Sequence, residues 1–178
     1  MVSIQTYDSP IGTLLLAADE VGLCGLWLSG EKQFADNLPA EHVWQSTPVL
    51  AKAQQWLDIY FSAKEPDFMP PLHPVGSAFR QAVWQQLLQI PYGKTVTYGQ
   101  LAQKLAKQRG ILRMSAQAVG GAVGHNKISI IIPCHRVVGA GGNLTGYAGG
   151  IDRKIKLLEL EGVDLRGLYV PKKGNGIV

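Results

Sequence analysis

Ser115-Ala116-Gln117-Ala118-Val119-Gly120-Gly121-Ala122-Val123 is the stretch on which the fold class turns. Ser115 has the form of an N-cap, whose hydroxyl accepts from a free N–H in the first turn. The pattern predicts a helix over 116–123. Its Ala118, Gly120, Gly121 and Ala122 are unusually small, and glycine inside a helix costs about 1 kcal/mol relative to alanine. Such a surface implies that something approaches the backbone closely. Either another helix packs tightly there, or this is the second helix of a helix-turn-helix that meets a nucleic acid.

Working upstream, Thr97-Tyr98-Gly99-Gln100 has the form of a capping box. It opens a helix through about Lys107, which Arg109-Gly110 breaks. Ser77 caps an earlier helix carrying Phe79, Val83, Trp84, Leu87 and Leu88, ended by Pro91-Tyr92-Gly93. Residues 64–76 hold four of the ten prolines and read as a linker. Before it the pattern changes to strands: Val2 to Thr6, Gly12 to Ala17 and Gly22 to Leu28, separated by Asp8-Ser9-Pro10 and Asp19-Glu20. Thr47-Pro48 then starts a helix whose Leu50, Ala53, Trp56, Leu57 and Tyr60 repeat at helical spacing. The expected division is an N-terminal α/β domain over 1–72, a C-terminal domain over 73–164 and a tail over 165–178.

Charge divides the chain at the same place. Residues 1–76 carry three lysines, no arginine and nine acids, a net of −6; residues 77–178 carry fourteen basic residues and four acids, a net of +10. A polyanion is the natural partner of the second half, and nucleic acid is the commonest polyanion; a solvated basic surface is the plainer alternative. No signal peptide and no membrane-spanning run is read, so the expected location is the cytoplasm. Two cysteines far apart, without a CxxC spacing, argue against disulfides and structural zinc. His42, His73, His125 and His135 show no ligand spacing, so neither metal nor cofactor is expected.

Downstream of the small-residue helix runs Ile128-Ser129-Ile130-Ile131-Ile132, then Pro133-Cys134-His135-Arg136-Val137. The apolar run reads as a strand that the proline ends, placing Cys134 at a strand exit. A cysteine attacks as its thiolate and needs a base or a cation beside it. Cys134 has both neighbours, although a packed thiol is the bland reading. Cys24, in Leu23-Cys24-Gly25-Leu26-Trp27, has neither and reads as a buried hydrophobe. Gly139 to Asn143 and Gly146 to Gly150 are glycine-rich turns, neither of which fits a phosphate loop. Asp152 is the expected cap of a last helix, which ends at Glu161-Gly162. A carboxylate at a helix C-terminus opposes the dipole and wants a partner, for which His135 is a candidate.

These segments resemble the O6-alkylguanine-DNA alkyltransferases, in particular the bacterial stand-alone type. The residues that carry the likeness are Phe79 through Ala102, Ala118-Val119-Gly120-Gly121-Ala122, Asn126 through Val138, Thr145 through Gly150, and Leu157 through Gly162. About half the chain resembles the family strongly and the N-terminal part weakly. The resemblance implies a ribonuclease-H-like sheet with a helix, followed by a winged helix-turn-helix-like domain bearing the cysteine. It implies DNA repair by a single, irreversible transfer of an alkyl group from guanine O6, and less efficiently from thymine O4, in a base flipped out of the duplex. On that pattern Cys134 is the nucleophile, His135 the base acting through a water, and Glu161 the residue that orients the histidine. Asn126 is the hinge and Tyr98 the donor to guanine N3. Carbonyls of Cys134 and Val137 accept from the exocyclic amine, the Ala148 amide donates to O6, and Tyr147 and Gly149 form the pocket wall. The DNA-facing set is Thr97, Gly99, Arg113, Gln117, Ala118 and Gly120, meeting double-stranded DNA from the minor groove. A monomer is expected, with clustering on DNA an open point.

One departure stands out: the family's intercalating arginine falls on Gln117. Glutamine is shorter and uncharged, so slower flipping is expected, with Arg113 in a position to compensate. A lesion sensor lacking transfer and a Cys-His-Glu hydrolase are the rival readings; the cysteine speaks against the first, and repeated release of product would mark the second. Lys172-Lys173 in the tail either meet phosphate or are solvated.

Overall fold

The computed structural model describes residues 1–172. Three strands, β1 (Val2–Ser9), β2 (Gly12–Ala18) and β3 (Leu23–Leu28), form an antiparallel meander. A fourth, β4 (His42–Trp44), pairs parallel with β1, so the sheet order is β3-β2-β1-β4. Three residues are too few to show a period, which is why the sequence reading lacked β4. Along β2 the pleat sends Leu14, Leu16 and Ala18 to one face and Leu15 and Ala17 to the other, and all are buried. The first face packs under α1 (Pro48–Phe61), capped by Thr47 as predicted. The second is closed by Ala35 and Leu38 from the segment after β3. Cys24 packs on this second face, half-buried rather than enclosed.

The C-terminal half runs α2 (Ala78–Leu87), β5 (Val96–Thr97), α3 (Tyr98–Arg109) and α4 (Ala116–Gly124). Its caps are those the sequence announces. Ser77 accepts from Arg80 N–H, Ser115 accepts from Ala118 N–H, and both halves of the Thr97–Gln100 box are made. Gly110 ends α3 at φ 65°, the left-handed conformation that favours glycine. Val119, Ala122 and Val123 bury α4 against α2 and α3, and Trp84 Nε1 donates to the Ala122 carbonyl at 2.9 Å. The opposite face is open. Ala116, Gln117, Ala118 and Gly121 are exposed, and a Cβ built on Gly121 would meet nothing within 4 Å. Tight packing inside the protein is therefore not what keeps this face small.

The expected strand over 128–132 is not there. Leu26 N donates to the Lys127 carbonyl at 2.8 Å and Ser129 N to the Leu26 carbonyl at 3.0 Å, so only Ile128 bridges β3. The chain then coils. Ile130 takes φ 70°, and Ile132 N returns to the Ile128 carbonyl at 3.0 Å. A left-handed, β-branched residue is an outlier that apolar periodicity does not foresee. Cys134 accordingly stands in a single-turn 3-10 helix, Cys134–Arg136, rather than at a strand exit. After it, β6 (Val137–Val138) pairs parallel with β5. Helix α5 (Ile151–Leu160) begins with Gly150 at its N-cap; Asp152, the expected cap, lies instead in the first turn. There its carboxylate complements the positive end of the helix dipole.

One apolar cluster joins the halves, taking in β2, β3, α1, α2, α3, α4 and the cysteine turn. Lys173 and the residues after it lie outside the described residues, while Lys172 is exposed. Among the described residues no helix is long and apolar enough to cross a membrane.

Candidate active site

The short β5–β6 pair sets the geometry of the site. It couples Val96 to Val137 and Thr97 to Val138. The two residues just after the cysteine turn are thereby tied to Thr97, which caps α3, and to the residue before it, and Tyr98 is brought beside Cys134. Asn126 fixes the other side of the turn. Its Oδ1 accepts from Ile128 N at 3.0 Å, and its Nδ2 donates to the Ile132 carbonyl at 2.8 Å and to Cys134 Sγ at 3.2 Å. One buried amide thus closes the loop 126–134 and hydrogen-bonds the sulfur. Burial pushes the Cys134 thiol up to about 11; the Asn126 hydrogen bond and the nearby Lys154 charge oppose that shift.

His135 is fully buried beside the thiol-bearing residue, and its Nε2 lies 2.5 Å from Glu161 Oε2. Burial holds its pKa below the ordinary value, so the resting imidazole is neutral. With Nε2–H donating to the carboxylate, Nδ1 is the acceptor, and this atom is buried without a hydrogen-bond partner. Glu161 caps the C-terminus of α5. Its Oε1 accepts from Arg136 Nε at 2.7 Å and from Gly93 N at 3.3 Å. Its Oε2 also accepts from the hydroxyl of Tyr60 at 3.1 Å. Burial alone would raise this carboxyl; the hydrogen bond from His135, with the charge and hydrogen bond of Arg136, outweighs it and holds the pKa near about 2. The partner anticipated for Glu161 is therefore present, and Arg136 shares it. Arg136 also donates to the Ile90 carbonyl at 2.7 Å and lies over the Tyr92 ring.

Tyr98 and Tyr147 flank the sulfur closely enough that a thiolate there would oppose ionisation of either phenol. Burial and then Cys134 push Tyr98 up to about 12, so its hydroxyl stays a donor; it bonds the Thr145 carbonyl at 3.3 Å. Gly146 sits at φ 80°, and a Cβ there would lie 2.7 Å from the Tyr98 hydroxyl, so this position admits only glycine. Tyr147 is buried with its hydroxyl unpartnered. Gly149 lies between the Tyr147 ring and Leu28, where a Cβ would be 2.9 Å from the ring. Ala148 is half-buried between them.

Lys154 went unremarked in the sequence. It is fully buried, and its ammonium donates to the Val137 carbonyl at 2.5 Å and the Thr145 carbonyl at 3.1 Å. It ties the cysteine turn to the glycine-rich loop, and burial pushes it down to about 8. The available signal was a lysine at helical spacing with Ile151, Ile155 and Leu158. Both carbonyls expected to meet a guanine amine already accept one bond. Val137 N donates to that of Cys134, and Lys154 to that of Val137. Each retains a second lone pair. Tyr60 was read only as core, and no local pattern links it to Glu161.

The residues expected to face DNA come from the start of α3, the loop after it and the open side of α4. Thr97 and the exposed Gly99 begin α3, and Gln117, Ala118 and the half-buried Gly120 line the open side of α4. Arg113 stands outside the helix, in the loop before Ser115. That loop and α3 enclose a hollow of about 670 Å³, bordered by Gly99, Gln103, Lys107, Leu112 and Arg113.

Residues 2–74 match the family described as the 6-O-methylguanine DNA methyltransferase ribonuclease-like domain, and residues 78–163 match its DNA-binding domain. A methylated-DNA--protein-cysteine methyltransferase of Methanosarcina barkeri is 44% identical over 160 residues, which is 89% of this chain and 96% of that protein. One of Mycobacterium bovis is 43% identical over 162 residues, 90% of this chain and 93% of that protein. The crystal structure of Mycobacterium tuberculosis OGT in complex with DNA superposes with a TM-score of 0.77 at 42% identity, covering 89% of this chain and 92% of that one.

Proposed function

The chain belongs to the 6-O-methylguanine DNA methyltransferase family, and from that premise we propose how its own residues perform the reaction. The protein repairs alkylated DNA directly, moving the alkyl group from the base onto one of its own cysteines. Cys134 is that cysteine. The observation that carries the assignment is the pairing of its Asn126-bonded sulfur with a buried neutral histidine, whose Nδ1 is free and whose Nε2 is held by Glu161.

The thiol proton passes through a water to His135 Nδ1, and Glu161 stabilises the imidazolium that forms. Sulfur attacks the alkyl carbon, an S–C bond forms and the C–O6 bond breaks. The electron pair leaves with guanine, whose N3 is hydrogen-bonded to the Tyr98 hydroxyl. Guanine finally carries the proton that the thiol lost. The thioether has no route back, so each molecule acts once. Val137, Tyr147, Ala148 and Gly149 hold the flipped base; alkylthymine at O4 is the poorer substrate.

Duplex DNA meets the open face of α4 from the minor groove, where Ala118 and Gly120 let the helix backbone approach closely. The electrostatics of that side rest on exclusion of acids as much as on added bases. From Phe68 to Ile151 the chain holds no Asp or Glu and eight Lys or Arg. Two of the eight, Lys127 and Arg136, are neutralised by Asp36 and Glu161, leaving six for phosphate. The working division is 1–72 as the supporting domain and 73–164 as the DNA-binding and transfer domain, acting in the cytoplasm without metal or cofactor.

The test is incubation with duplex DNA carrying one radiolabelled O6-methylguanine, beside Cys134→Ala. One methyl per protein molecule, kept after denaturation and absent from the variant, is the expected result. Tight binding without transfer would mark a lesion sensor, and repeated release of product a hydrolase.

A further inference from the structure

Tyr60 belongs to the N-terminal domain, seventy-five residues from His135 and one hundred and one from Glu161, yet its hydroxyl lies within reach of both. It is fully buried, 3.1 Å from Glu161 Oε2 and 3.4 Å from His135 Nε2. With the imidazole donating Nε2–H to Oε2, the phenol proton has one acceptor left, the same Oε2. We propose that Tyr60 is a positioning residue of the alkyl-transfer site: by sharing Glu161 Oε2 with His135, it sets the proton affinity of the histidine and joins the N-terminal domain to the chemistry. This rests on the function proposed above.

The reasoning is one of competition at a single oxygen. A carboxylate stabilises an imidazolium through the charge it can direct at Nε2–H. A second donor on the same oxygen draws on that charge and makes the carboxylate a weaker base. Oε1 is already committed to Arg136 and to Gly93 N. Oε2 therefore governs the histidine, and Tyr60 is the only other group bonded to it among the described residues. The phenol remains protonated, because burial and the adjacent Glu161 charge push its pKa well above the ordinary value.

The ring is held independently of its hydroxyl. It stacks on Trp56 with centroids 5.2 Å apart and meets Phe61 and Tyr92 edge-on. The charged and titratable groups facing the His135–Glu161 pair are Arg136 from the cysteine turn, Lys154 from α5, Tyr92 from the turn after α2, and Tyr60 itself. Only Tyr60 comes from the N-terminal domain.

The experiment measures the single-turnover rate of methyl transfer from O6-methylguanine duplex against pH. It compares wild type, Tyr60→Phe, and protein with 3-fluorotyrosine placed at position 60 alone. Phenylalanine keeps the ring and removes the donor, so the carboxylate becomes more basic, the imidazolium is favoured, and the acid limb moves up by about one pH unit. Fluorotyrosine keeps the shape and donates more strongly, so the limb moves down. Opposite shifts are a signature that packing cannot produce. Coincident acid limbs for all three proteins would overturn the proposal. Should Tyr60→Phe fail to fold, the isosteric fluorotyrosine protein alone decides, an unmoved limb overturning it. Failure of the wild type to take up label would overturn the functional reading instead, so the two failures are separable.

Discussion

Asn126→Ala is the perturbation with the most legible cost. The amide makes three well-formed bonds, to Ile128 N, the Ile132 carbonyl and Cys134 Sγ. The Ile132 carbonyl keeps the Cys134 N–H, at 2.8 Å, so it survives the substitution satisfied. The Ile128 N–H does not, since Oδ1 is the acceptor it has. Leaving a buried donor unmade costs about 1–3 kcal/mol, and the two other bonds contribute about 1 kcal/mol each, for a total of about 3–5 kcal/mol. In a chain of this size that lowers Tm by about 10 °C. The thiol changes too. Losing the only side-chain donor on Sγ among the described residues raises its pKa further, and a hydrogen bond to a charged group is worth about 1.5–3 kcal/mol, so reaction at fixed pH slows about tenfold or more.

Both effects are readable in a Cys24→Ala background, which leaves one thiol. Thermal unfolding gives the first, and mass-resolved alkylation of Cys134 by iodoacetamide gives the second. The expected variant melts lower and alkylates more slowly while folded. Mere loosening of the loop would expose the sulfur and speed alkylation. A Tm within about 3 °C of the parent, together with an unchanged or faster rate, would refute the claim that this amide both shapes the loop and serves the thiol.

Glu161→Gln removes the anion that Arg136 and His135 share, and is expected to cost about 3–5 kcal/mol with transfer strongly slowed. Because the folded carboxyl is held near about 2 against an ordinary 4.5, its contribution is present above 4.5 and is lost as pH falls toward 2. Urea midpoints of wild type and variant should therefore converge across that window. Lys154→Met keeps the stem and removes the ammonium that ties Val137 to Thr145; single-turnover transfer should fall about tenfold through a less favoured thiolate. Burial holds Lys154 down to about 8 against 10.5, so the unfolded chain binds more protons between those values and wild-type stability gains with rising pH there. Denaturation at pH 7.5 and 9.5 should show that gain shrink in the variant. Gln117→Arg supplies a longer, charged side chain on the open face of α4. It should speed repair of O6-methylguanine in duplex DNA and leave reaction with the free base unchanged; equal rates on duplex would remove Gln117 as the cause of slow flipping.

What the sequence announces is what local chemistry enforces. Thr47, Ser77, Thr97 and Ser115 cap the helices they were expected to cap, and Gly110 ends α3, because each acts within four residues along the chain. The fold class and the pairing of His135 with Glu161 were also legible, the latter from an unfavourable charge in want of a partner. The loop over 126–134 was not. Four isoleucines and a serine read as a strand, and nothing local reveals that an asparagine side chain takes the place of ladder partners at Ile128 and Ile132 while Ile130 turns left-handed. Lys154 left a trace, a cation among apolar positions. Tyr60 left none, because its meaning depends on a carboxylate a hundred residues away.

That last contact bears on why an acidic domain, bearing none of the expected site residues, belongs to a DNA-repair protein. The cysteine loop, closed from within by Asn126, is also held from the N-terminal domain: its one strand-like residue, Ile128, bridges β3, and Leu26 gives and receives the two bonds that fix it. Lys127, next to Asn126, is anchored on Asp36 at 2.6 Å. Arg153, next to Lys154, donates to the Ile11 carbonyl at 3.0 Å. Four of the segments around the thiol are thus braced by the N-terminal domain: the Asn126–Lys127 step, the loop after it, the start of α5 and, through Tyr60, the histidine–glutamate pair. The bracing domain is the acidic half of the chain, and the half it braces is the basic one. On the function proposed above, a duplex is drawn to the basic half, where α4 is open, rather than to the acidic domain that braces the site. The division of charge and the division of labour are the same division.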